Sequence, residues 1–179
     1  MSHINYFLLI FFIGLTSLGF SQSAQNEDID VLKMRIENYI SHSELETDRG
    51  DYYSANDNLG KALILAEQIN DKKSQGILHT KIAKLQYTVE QPEKALISLT
   101  KAAEIQREIS DYPNLAITYN IRGILHASKK EYQNALDYFN SAKTKFEEEN
   151  LEANISDITL NEAKVYIQME DYPKGKALL

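Results

Sequence analysis

The sequence predicts an all-α fold of stacked antiparallel helix pairs, on three observations. Seven glycines and three prolines punctuate 179 residues, too few turn formers for a fold of many short strands. Ala, Leu, Ile, Glu, Lys, Gln and Asn dominate, a mixture that favours helices. One pattern of small and large residues also recurs every 40 positions, the mark of a repeat architecture.

The amino-terminal 25 residues stand apart from that pattern. Tyr6 to Phe20, "YFLLIFFIGLTSLGF", is apolar with small-residue interruptions. As a helix this 15-residue run spans roughly 22 Å, short of the roughly 30 Å hydrocarbon core of a bilayer. It therefore reads as a secretory signal peptide over 1–21, with cleavage after Ser21 or Ser23 and a short linker over 22–28. His3 stands where a basic residue is usual before such a run, and an uncleaved membrane anchor is the alternative. The chain has no cysteine, which excludes a lipid-modified cysteine at the processing site, disulfides and thiolate metal sites. The expected location is periplasmic or secreted, for a domain held together by packing alone.

The repeat domain is expected over 29–179, in units of about 29–70, 71–110, 111–150 and 151–179, the last incomplete. Four stretches align: "GDYYSANDNLGKAL" from Gly50, "EQPEKALISLTKAA" from Glu90, "KEYQNALDYFNSAK" from Lys130 and "EDYPKGKALL" from Glu170. Small residues recur at Ala55, Ala95, Ala135 and Gly175, and again at Ala62, Ala102 and Ala142. Large apolar residues stand between the two series, at Leu59, Leu99, Phe139 and Leu179. Small, large four on, small three on is one face of a helix; this is helix B. Helix A precedes it and carries Ser43, Ala83, Gly123 and Ala163 at the same spacing. Breaks at Asp71-Lys72-Lys73, Asp111-Tyr112-Pro113 and Glu149-Asn150 separate the units. The two "DYP" triplets, at Asp111 and Asp171, are one and a half periods apart and read as shared turn chemistry outside the repeat.

These residues resemble the tetratricopeptide repeat. In the third unit the matches are Tyr119, Gly123, Ala135, Phe139 and Ala142; in the fourth, Ala163, Tyr166, Gly175 and Leu179. The 40-residue unit is longer than the usual 34, as in the long-helix variants of bacterial signalling proteins and motor light chains. His126 and Gln86 replace the usual Tyr, and Ser43 replaces the small Ala or Gly. The resemblance implies a right-handed superhelical α-solenoid whose concave wall, formed by helices A, holds a peptide or protein. The positions that map there are Ile77, Thr80, Lys84 and Tyr87; Ile117, Asn120, Ile124 and Ala127; and Asp157, Leu160, Lys164 and Ile167. The clamp with which some members hold a chaperone's terminal carboxylate is not matched, since Ile40/Glu44 and Thr80/Lys84 stand at its positions.

No catalytic, metal or cofactor site is expected. His79 and His126 have no acidic residue three or four positions on, Glu44 and Glu46 do not share a helical face with His42, and Glu147-Glu148-Glu149 reads as a solvated charge run. No phosphate loop or nucleophile elbow is present. A net charge of −7 with mixed signs gives no basic face for nucleic acid. Two functions fit: an exported, non-enzymatic interaction scaffold, or an extracytoplasmic sensor segment of a longer signalling protein (a histidine kinase or DNA-binding regulator) continuing past Leu179. The small residue due after Leu179 would fall at 182, so the array is expected either to continue or to present an edge that a partner, including a second copy, completes.

Overall fold

The computed structural model describes residues 29–151 and 154–179; the expected signal peptide and linker lie outside them. All regular structure among the described residues is helical. The helices are α1 (29–48), α2 (Tyr52–Gln68), α3 (Lys72–Thr88), α4 (Pro92–Glu108), α5 (Tyr112–Ser128), α6 (Tyr132–Glu148), α7 (Ile155–Gln168) and α8 (Tyr172–Ala177). Odd-numbered helices are helices A and even-numbered ones helices B.

Between Asp51 and Asn150 the chain keeps one beat, a 17-residue helix followed by a short turn. The middle residue of each turn has a positive φ: Gly50 at 79°, then Asn70, Glu90, Ser110, Lys130, Asn150 and Glu170 between 54° and 63°. This left-handed residue lets the chain reverse while still satisfying the last helical carbonyls. At the end of α2, Asp71 N donates to Ala66 O (2.8 Å) and Asn70 N to Glu67 O (3.0 Å). The same two bonds close α3, α4, α5, α6 and α7. Except before α7, whose N-cap is Asn154, the residue after the left-handed one opens the next helix. Asp51, Asp71 and Asp171 accept backbone N–H groups three residues on, from Ser54 (3.0 Å), Ser74 (3.1 Å) and Lys174 (3.3 Å), filling donors that a helix start leaves open.

The small residues act where the helices of a pair cross. Ala55, Ala95, Ala135, Ala83 and Ala163 are fully buried. A Cβ on Gly123 would lie 2.4 Å from the ring of Phe139, so the phenyl group lies against bare backbone. Leu59, Leu99 and Phe139 are buried as the pattern requires, each worth about 1.5–3 kcal/mol in apolar burial. Leu179, at the corresponding position of the fourth unit, departs from it and is 75% exposed.

The core falls into three apolar clusters centred on Leu59 and Leu78, on Leu99 and Leu125, and on Phe139 and Ile158. Between the first and last runs a polar seam of Thr80, Gln106 and Thr118, all buried. Thr118 Oγ1 donates to Gln106 Oε1 (2.7 Å), Gln106 Nε2 to Thr80 Oγ1 (3.3 Å), and the two threonine hydroxyls are 2.9 Å apart. Further along, Lys143 of α6 donates to Glu162 of α7 at 2.7 Å. Helix α3 touches α5 and α5 touches α7, whereas successive helices B have at most marginal contact. A layer of closely spaced helices backed by a splayed layer curves toward the close one. Helices A therefore line the inner face.

Candidate functional site

The inner face presents a row of apolar side chains flanked by charges. Tyr87, Ile117, Leu160 and Ile167 are exposed by 37%, 39%, 43% and 42%. Lys84 and Lys164 form no ion pair among the described residues, and both are exposed. Asp157 is exposed beside them in sequence register, while Ile77 and Ala127 are half-buried. Ile124 is half-buried and packs against the cluster that holds Phe139, so its side chain belongs chiefly to the core.

Two of the expected groove positions instead join neighbouring helices A. Thr80 is only 6% exposed; it lies within the polar seam and also donates to Gly76 O at 3.1 Å. It is withdrawn as a groove contact. Asn120 is half-buried, and its Oδ1 accepts from Asn161 Nδ2 at 3.1 Å. This register position points along the stack toward the next helix A, which covers it. Leu160 at the same register is exposed because no helix A follows α7 among the described residues.

Among the described residues His42 faces solvent and His79 and His126 are half-buried, with one arrangement that helical spacing did not reveal. His126 stacks on Tyr138 (centroids 5.2 Å, 11° between planes), and its Nδ1 lies 2.6 Å from Glu131 Oε2. Glu131 is five residues on, past the turn, at the N-cap of α6, beyond the search at three and four. The hydrogen bond from His126 is the main cause holding the Glu131 carboxyl below its usual range. Arg122 lies over the same Tyr138 ring, 4.9 Å from its centroid, and its Nε is buried without a hydrogen-bond partner. Burial lowers His79, with Lys101 adding to the effect. Among the described residues no three His, Asp or Glu side chains converge as metal ligands, and no helix is long and apolar enough to cross a membrane.

A feature the sequence reading missed lies at the amino-terminal end of the inner face. Helices α1 and α3 flank a cleft of about 210 Å³ with Leu59 and Leu85 among its lining residues. Glu44 and Asp48 of α1 face Lys81 and Lys84 of α3 across it. The trace in the sequence is two acids four apart followed, one repeat later, by two lysines three apart.

With this geometry the fold is a tetratricopeptide-repeat-like α-solenoid. A family profile described as tetratricopeptide repeat matches residues 76–148, the span of α3 to α6. Among curated proteins none matches the chain. Similar solved structures include a Rap protein complexed with competence and sporulation factor (22% identity, TM-score 0.74), covering 81% of this chain and 40% of that one. Another is a signal transduction ATPase with numerous domains carrying a tetratricopeptide repeat sensor, from Pyrococcus horikoshii (22%, 0.69; 80% of this chain, 22% of that one). A third is BtubC from P. vanneervenii (19%, 0.68; 80% and 60%). The chain thus spans less than two thirds of the length of each of these structures.

Proposed function

We propose that the chain is an exported, non-enzymatic scaffold that binds a protein or peptide along the inner face of α3, α5 and α7. The observation that carries the reading is the row Tyr87, Ile117, Leu160 and Ile167, apolar and exposed beside Lys84 and Lys164, which form no ion pair among the described residues. Apolar anchors supply affinity in such surfaces and flanking charges supply orientation and selectivity. A structurally similar Rap protein is seen complexed with competence and sporulation factor, in keeping with a fold that holds a partner. Export rests on the apolar run Tyr6–Phe20 with the small residues of a cleavage site at Gly19 and Ser21. A sensor segment within a longer signalling protein is the second reading, favoured by likeness to the repeat sensor of the Pyrococcus ATPase.

A photo-crosslinking residue placed singly at Ile117 and Leu160 on the inner face, and at Ile64 and Ile97 on helices B, tests the surface. The inner positions should give partner adducts, and Ile117→Glu with Lys164→Glu should abolish them while leaving helicity intact. Adducts confined to Ile64 and Ile97 would move the interface to the outer layer. Amino-terminal sequencing of the exported protein should begin at Gln22 or Ala24.

A further inference from the structure

We propose that the cleft between α1 and α3 is a binding site for a single free α-amino acid with an apolar side chain. Size limits the occupant first. The cleft measures about 210 Å³. One amino acid fits that space; the pockets that take drug-sized molecules begin at about 300 Å³.

Charge then selects among small molecules. The α1 wall is acidic, through Glu44 and Asp48, and the α3 wall is basic, through Lys81 and Lys84. Lys81 pairs with Glu44. Asp48 and Lys84, both exposed, line the same cleft and make no ion pair among the described residues. A free amino acid carries an ammonium and a carboxylate on one carbon and can meet both walls at once. Asp48 is also the last residue of α1, where the helix end favours a cation. Thr47 and Thr88 donate their hydroxyl protons to Ser43 O (2.8 Å) and Lys84 O (3.1 Å), which leaves their oxygens as acceptors for the ammonium. Leu59 and Leu85, 2% and 5% exposed, form the floor of the cleft, and the methylene stems of Lys81 and Lys84 beside it supply apolar surface for the side chain. A residue inside a peptide has neither charge and is excluded on both counts. The site meets the α3 end of the proposed peptide surface at Lys84 and leaves its α5 and α7 positions free.

The test is isothermal titration of the full chain with L-leucine, L-valine and L-methionine, alongside N-acetyl-L-leucine and L-leucinamide. At least one free amino acid should bind at millimolar concentration or below, with each blocked form of leucine at least tenfold weaker than leucine itself, about 1.4 kcal/mol. Asp48→Asn and Lys84→Gln should each weaken binding about tenfold, and Lys164→Gln on α7 should leave it unchanged. Both cleft residues are exposed, so unchanged circular dichroism should accompany the loss. No binding by any of the three amino acids, equal binding of the blocked forms, or indifference to Asp48→Asn would overturn the proposal. Crosslinking at Ile117 reads the inner-face partner separately, so failure of one idea does not touch the other.

Discussion

Gly123 and Gly60 are both helical glycines, and their surroundings give them opposite roles. A methyl group on Gly123 meets the Phe139 ring at 2.4–3.0 Å, whereas one on Gly60 meets nothing within 4 Å. Gly123→Ala should destabilise by about 1–3 kcal/mol through overpacking, measured by urea unfolding. Gly60→Ala should stabilise by about 0.5–1 kcal/mol, because a mid-helix glycine costs conformational entropy and gains nothing here. The turn residues offer a second test. Lys130 is held at φ 62°, a conformation that costs a side-chain-bearing residue about 1–2 kcal/mol; Lys130→Gly should recover about 0.5–1 kcal/mol after the added freedom of the unfolded chain is subtracted. His79 provides a pH test. Burial lowers its pKa in the folded state, so its contribution to stability is present above the unfolded value near 6.5 and is lost as pH falls through the folded value. The melting temperature should fall as pH drops below about 6.5, and His79→Gln should flatten part of that fall.

Helices were the most legible feature of the sequence, and the contacts between them the least. The spacing of Ala55, Leu59 and Ala62 is enough to define one face of α2, because the 3.6 period is local. Which helix covers a given face is not local. Thr80, Asn120 and Leu160 occupy one register and read alike, yet α5 buries Thr80, Asn161 of α7 bonds Asn120, and Leu160 is open. Nothing in the sequence warned of the seam, since Gln106 takes the place that Ala66 and Phe146 hold in the other helices B. Its energetics can be separated by mutation. Gln106→Ala should cost about 2–3 kcal/mol, through lost packing and unpaired threonine hydroxyls. Thr80→Val, Gln106→Leu and Thr118→Val together should fall within about 1 kcal/mol of the parent, as apolar replacement removes every orphaned group. A triple variant as damaged as the single one would mean that the network holds more than local register.

At the scale of the whole molecule, stability is a chain of nearest-neighbour contacts, each helix resting on the one or two beside it in each direction. Damage should therefore spread outward from its origin instead of dissolving the domain at once. Phe139→Ala, expected to cost about 3–5 kcal/mol, should expose the amides of α5, α6 and α7 to hydrogen exchange well before those of α2. Uniform loss of protection would show that the three clusters behave as one cooperative core. The inner and outer layers were foreseen from the resemblance, and the close approach of α3, α5 and α7 supplies their physical cause. The cleft at α1 and α3 was not foreseen, because the whole of α2 separates its two walls in the chain and each reads alone as ordinary solvated charge.

The beat of helix and turn also bears on how such a chain can grow. Asp111 and Asp171, set aside in the sequence as a coincidence, stand at the N-caps of α5 and α8, three beats apart. The turns share a left-handed residue and the same pair of closing backbone bonds. A duplication or deletion of a single beat would keep all the turns in order while exchanging the inner and outer layers beyond the junction, turning faces built for water against the core. Gene rearrangement in steps of two beats leaves each face where it was. The turns tolerate either step, but the two layers permit only the longer one.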